Sequence, residues 1–142
     1  MTASIRYDDV EAGAEIGPRE FPISRLDLVK YCGASGDFNV IHWNERIARS
    51  VGLPDVIAHG MFTMAQGARL ITDWCGDPGA VLEYRVRFSR PVVVPDDDAG
   101  AILTIKARIE TKLDDARVSV FLEASTPDGS VLTGARAVVQ LA

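Results

Sequence analysis

A chain of 142 residues, 47% hydrophobic and 25% charged, has the size and composition of one soluble globular domain that needs no disulfide or metal staple. Its formal net charge of −5, with Lys and Arg scattered, excludes the basic footprint of a nucleic-acid binder. No apolar run approaches the roughly 20 residues of a membrane helix.

The N-terminal "MTASIRYDDVEAGAEIG" places acids where a signal peptide has its apolar core, so a cytoplasmic setting is expected. "REFPI" (19–23) reads as a short strand. "SRLDLVKYCGASG" follows as a helix, with Ser24 as N-cap and Asp27 completing a capping box. Gly33 and Gly36 are expected to stop it. A second short helix fits "NERIARSVG" (44–52), capped by Asn44 and stopped by Gly52. "LPDVIAHG" reads as a loop. "MFTMAQGARLITDWCG" (61–76) is a longer helix, apolar nearly all round and therefore expected to be buried.

Four strands then follow by period-two alternation: 81–95, 101–111, 116–125 and 130–142. The turns "PDDDAG", "LDDA" and "PDG" separate them. The pattern predicts an α+β fold over residues 1–142, a meandering antiparallel sheet curved round one central helix. Its open edges ask for a partner. Cys32 and Cys75 lack any CxxC or Cys/His spacing and read as small apolar fillers.

The chemistry concentrates in "YCGASGDFNVIHWNE" (31–45), which holds one of only two histidines. A loop between two helices can bring the Asp37 carboxylate and the His42 imidazole to one water molecule. Such a pair moves protons in both directions near neutral pH. Asn39 can hydrogen-bond the loop backbone and steady both. The alternative is an Asx-turn with an incidental histidine. A second segment, "AHGM" (58–61), puts Gly60 at the first turn of the long helix, where backbone amides lack intrahelical partners. A carbonyl oxygen gaining negative charge is stabilised at such a place. A plain turn glycine is the alternative. His59 either contacts a ligand or fixes the loop through a hydrogen bond.

These residues carry a resemblance. "YCGASGDFNVIHWNERIA" is similar to the signature of the MaoC-like, R-specific enoyl-thioester hydratases, through Tyr31, Ser35, Gly36, Asp37, Asn39, Ile41, His42 and Ala48. "AHGMFTM" resembles the segment that opens that family's central helix. "WCGDPGAVLEYRVRF" most resembles the B-type subunit of the mycobacterial-type (3R)-hydroxyacyl-acyl-carrier-protein dehydratases. One position departs: Val40 stands where the family usually has proline, which stiffens the turn before the histidine.

The resemblance implies a hotdog fold, with the motif on a helical overhang. It also implies an Asp37–His42 catalytic dyad, Asn39 orienting the loop, and the Gly60 N–H holding the thioester oxygen. The implied reaction is reversible syn addition of water to a trans-2-enoyl thioester, giving a (3R)-3-hydroxyacyl thioester. It uses no metal or redox cofactor, and coenzyme A or acyl carrier protein is the handle of the substrate. The alternatives are a hotdog thioesterase and a non-catalytic acyl-binding subunit of a heterodimer. Arg85 and Arg87, on the polar side of their strand, either meet the phosphates of that handle or form a solvated face. Ala65, Gly67 and Ala68 either make room for an acyl chain or serve close helix–sheet packing. The expected assembly is a homodimer, or a heterodimer with a second hotdog subunit.

Overall fold

The computed structural model describes residues 3–142. In chain order it contains β1 (Glu15–Ile23), α1 (Arg25–Ser35), α2 (Glu45–Ser50), α3 (Gly60–Cys75), β2 (Val81–Phe88), β3 (Ala101–Leu113), β4 (Arg117–Thr126) and β5 (Gly129–Gln140). Short 3-10 turns lie at Tyr7–Asp9, Val40–His42 and Pro78–Ala80. The strands form one antiparallel sheet in the order β1-β3-β4-β5-β2. Helix α3 touches β1 and β2, the two edges of that sheet, as well as β3. Only a sheet curled round the helix brings both edges to it. This is the α+β arrangement expected from the sequence.

Alternation decides which side chains reach the helix. Leu103, Ile105, Ala107 and Ile109 of β3 are buried, as are Val118, Val120, Leu122 and Ala124 of β4 and Ala135, Ala137 and Val139 of β5. Each fully buried branched side chain here contributes about 1.5–3 kcal/mol. From α3, Thr63, Gly67, Leu70, Ile71 and Cys75 face this layer, the i, i+4, i+7, i+8 stripe of an amphipathic helix. The expectation of a helix buried nearly all round is therefore corrected: Met61 on its far side is 59% exposed.

Four other expectations change. β1 begins at Glu15, four residues before the predicted strand. Gly17 and Pro18 sit in a register shift between Ile16 and Arg19 on an edge strand, where both are tolerated. Gly33 lies inside α1, and Gly36 alone ends it, with φ +77. β2 stops at Phe88, and residues beyond it turn to bridge the segment before α3 through Ile57 and Val93. Finally, β2 is not the first strand of the meander. It pairs with β5 at one edge, while β1 pairs with β3 at the other. Among the described residues, no helix is long and apolar enough to cross a membrane.

The segment between β1 and α3 forms an overhang packed against the start of α3, where Tyr31 meets the rings of His59 and Phe62. Its first helix is fixed by the predicted capping box: Ser24 Oγ accepts the Asp27 N–H (3.3 Å) and Asp27 Oδ2 accepts the Ser24 N–H (2.8 Å). α2 is capped by Asn44, whose Oδ1 accepts the Ile47 N–H at 3.1 Å. Arg25 ties α1 to the connection between β2 and β3 and to the segment that precedes α3. Its Nε donates to the Val94 carbonyl and its Nη2 to Asp55 Oδ1, both at 2.6 Å.

Candidate active site

Between α1 and α2 the chain is held by three successive side-chain-to-backbone turns. Ser35 Oγ accepts the Asp37 N–H (3.1 Å), Asp37 Oδ1 accepts the Asn39 N–H (3.1 Å), and Asn39 Oδ1 accepts the Ile41 N–H (3.4 Å). Each is the short-range bond that Ser, Asp and Asn favour over helix. Together they turn the backbone so that His42 ends a 3-10 turn with its ring directed inward. Asn39 caps that turn, and Trp43 Nε1–H donates to the Phe38 carbonyl at 3.0 Å.

His42 is 7% exposed and His59 is 1% exposed. Their rings stack with centroids 3.7 Å apart and planes 23° apart. Tyr31 tilts against His59 at 4.7 Å. His42 Nδ1 lies 2.7 Å from the Ile57 carbonyl oxygen. A carbonyl has no proton to give, so Nδ1 carries the hydrogen and Nε2 keeps its lone pair. Burial, first, and the neighbouring His59 push the His42 pKa below the usual imidazole value, against the opposing pull of the Ile57 bond and Asp37. The ring is therefore neutral at pH 7, with Nε2 able to accept a proton.

The same logic fixes the orientation of His59. Its Nε2–H donates to the Asp37 carbonyl at 3.1 Å, with the Cys32 sulfur 3.6 Å away. Its Nδ1 is buried with no hydrogen-bond partner among the described residues. His59 thus ties the backbone of one candidate residue while supporting the ring of the other. Cys32 is buried, and its thiol pKa is raised, first by that burial and then by Asp37. It stays a protonated, inert filler.

A carboxylate oxygen of Asp37 and ring nitrogens of His42 and His59 all lie within 4.8 Å of one another. That cluster is better arranged for proton transfer than for metal. Ligands of one ion aim their in-plane lone pairs at a common centre, whereas two rings stacked this closely hold theirs in separate, near-parallel planes.

His42 opens into a cavity of about 310 Å³ lined also by Ala58, Gly60, Thr63, Phe88, Arg90 and Val131. Gly60 is the first residue of α3, so the N-terminal amides of that helix border the same space. A Cβ at Gly60 would lie 3.2 Å from the Phe88 ring, a packing reason for glycine besides close access to the amide. Asp37 is exposed and stands beside the cavity rather than in its lining.

The structure does not bring every candidate here. Arg85 and Arg87 line a separate concavity with Thr133, Gly134 and Arg136. Arg85 pairs across the sheet with Arg136 on the outer face, where Arg136 is held bidentately by Glu110 at 2.9 and 3.1 Å. The cation in the lining of the His42 cavity is Arg90, whose Nη1–H donates to the Asp128 carbonyl and which sequence reasoning missed. It follows Ser89 at the end of a strand and carries no periodic signal. Gly67 is also filled, since its open side receives the Tyr84 hydroxyl. Ala65 is exposed on the other side of the helix.

Residues 10–121 match the MaoC like domain family. The chain is 41% identical over 92 residues to the 3-hydroxyacyl-thioester dehydratase X of Mycobacterium tuberculosis, covering 59% of this chain and 32% of that one. A solved MaoC-like dehydratase superposes with a TM-score of 0.95 at 39% identity, over 99% of this chain and 43% of the other. The R-hydratase PhaJ1 from Pseudomonas aeruginosa superposes with a TM-score of 0.83 at 26% identity, over 99% and 88%. The fold is thus the hotdog. The chain spans less than half the length of the first two of these proteins.

Proposed function

For a chain that belongs to the MaoC-like dehydratase family, we propose reversible syn hydration of trans-2-enoyl thioesters to (3R)-3-hydroxyacyl thioesters, in fatty acid or related acyl metabolism. The observation that carries this is the shared cavity of His42 and Gly60. A neutral imidazole with a free Nε2 faces the same space as the first amides of α3, and a carboxylate lies within 4.8 Å.

The thioester oxygen accepts the Gly60 N–H, which withdraws electrons from the conjugated double bond and stabilises the enolate-like charge. A water molecule sits between Asp37 and His42 Nε2. As its oxygen bonds to C3, the pair takes one proton from it and returns one to C2 on the same face. Acid–base chemistry suffices for this sequence of bonds. Asn39 holds the turn on which His42 rides. Coenzyme A or acyl carrier protein enters as the substrate's handle. Arg90 is placed to meet that handle. Arg85 and Arg87 are the more distant candidates for its phosphates.

The names of the similar proteins support this reading: one is a 3-hydroxyacyl-thioester dehydratase and another an R-hydratase. The assembly is a homodimer or a heterodimer of hotdogs joined through β2. That strand is a sheet edge with Leu82 52% and Phe88 50% exposed, the row of unpaired backbone groups and apolar side chains that another strand covers. The matched dehydratase chain, of which this one covers 43%, has room for a second unit of the same size.

The test is incubation with trans-2-enoyl-CoA. Loss of enone absorbance without free thiol supports hydration, and free thiol indicates a thioesterase. Asp37→Asn and His42→Ala should each lower turnover by roughly 10²-fold or more while the fold persists. Sedimentation at assay concentration checks assembly, where an active monomer excludes the dimer. Inactivity that is relieved only by an added hotdog subunit marks a partner subunit.

A further inference from the structure

We propose that Tyr84 sets the acyl-chain length this site accepts, by closing the passage between α3 and β2. The proposal rests on the hydratase reading above.

Two glycines of α3 face aromatic side chains of β2. At Gly60 an added Cβ would stand 3.2 Å from the Phe88 ring, and at Gly67 it would overlap the Tyr84 hydroxyl and stand 3.7 Å from Leu122 Cδ2. Phe88 and Tyr84 lie on the same strand, so helix and strand run alongside each other from the reacting end of the cavity to the phenol. The cavity at His42 extends to Thr63, Phe88 and Val131 and does not include Gly67 or Tyr84. The glycine that would leave room for an acyl chain instead receives a tyrosine.

The hydroxyl is a second, independent mark. It is buried and has no hydrogen-bond partner among the described residues. Burial pushes the phenol pKa up to about 12, so it stays protonated. An unsatisfied buried hydroxyl is a net cost to the fold, and phenylalanine would fill most of the same slot without it. What tyrosine adds is reach, the last atom that closes the gap to the helix backbone. An acyl chain extending from a thioester at Gly60 along α3 travels seven residues before meeting it. At 1.5 Å per residue this is about 10 Å, room for roughly six to eight carbons.

The experiment compares the wild type with Tyr84→Phe and Tyr84→Leu on trans-2-enoyl-CoA substrates of four to twelve carbons. The readout is the ratio of kcat/KM for each length to that for four carbons, with circular dichroism and thermal melting as folding controls. The wild-type ratio should fall beyond about eight carbons. Tyr84→Phe should move the fall by about one methylene. Tyr84→Leu should move it by two or more, with a gain of about fourfold for each methylene newly buried, equivalent to about 0.8 kcal/mol. If the leucine variant does not fold, the phenylalanine variant decides. Hydration with the same length profile in the wild type and every folded variant overturns this proposal alone. So does a wild type that accepts twelve carbons as well as four. Absence of hydration at every length overturns the hydratase reading and this proposal with it.

Discussion

His42 and His59 lie ring on ring, 3.7 Å between centroids, and each spends one N–H on a different carbonyl. His42 ties the site to Ile57, and His59 ties it to Asp37. The stack joins the overhang to the start of α3 at the point where both candidate catalytic groups sit.

His59 is therefore expected to act through its neighbours. His59→Phe keeps a stacked ring but removes the donor to the Asp37 carbonyl. The expected result is a kcat loss of roughly 10- to 100-fold, within the range of a misplaced proton-transfer group, and a smaller change in KM. The acid limb of the pH–rate profile should also move upward, because His59 contributes to lowering the His42 pKa. An unmoved limb together with near-normal kcat would remove the positioning role.

The acid limb of the wild-type profile should lie below 6.5. Burial is the largest cause of the lowered His42 pKa, and activity needs the unprotonated ring. The same shift has a consequence for stability. Between 6.5 and the lower folded value, the unfolded chain binds a proton at this position and the folded one does not. Stability therefore rises with pH across that window and is lost as pH falls through it. Urea unfolding at several pH values measures the slope, and His42→Gln should flatten it.

Val40→Pro should be tolerated, with a gain of about 0.5–1 kcal/mol. Val40 is the first residue of its 3-10 turn, and Asn39 before it has φ −54 and ψ 125. Proline suits a first helical position, and the residue before a proline prefers this extended backbone. A thermal melt decides, and a large loss would show that the turn differs from the proline-bearing one of the family.

Arg25→Ala should cost roughly 2–3 kcal/mol, as expected when a partly buried pair loses one member. The Asp55 side chain is 15% exposed and would keep Arg49 at 3.6 Å as its one cation, beside the Val56 N–H at 2.7 Å. Denaturant unfolding measures the loss. Arg25→Lys should recover only part of it, since one ammonium cannot reproduce the fork that reaches both Val94 and Asp55.

Much of this was legible in the residues. Ser24 with Asp27, and Asn44, announced α1 and α2 because a cap acts over three positions. Alternation placed the core faces of β3 and β4 because strand side chains have a period of two. Asn39 announced its bond to the loop backbone, because an Asn side chain reaches the amide two residues on. β1 was read only from residue 19, and its first residues include Gly17 and Pro18, whose tolerance depends on their being at an edge. Leu82 and Phe88 fitted an alternating face yet are half exposed, because periodicity assigns a face and not what covers it.

The sequence by itself determined the α+β class, the caps and the buried faces of β3 and β4, all of which rest on interactions a few residues long. The tertiary structure alone decided that β2 pairs with β5, that His59 stacks on His42, that Arg90 and not Arg85 or Arg87 lines the His42 cavity, and that Tyr84 fills the space at Gly67. Each of these joins residues far apart in the chain. Their meeting depends on strand order and on how the sheet curls round α3, and no local pattern encodes either.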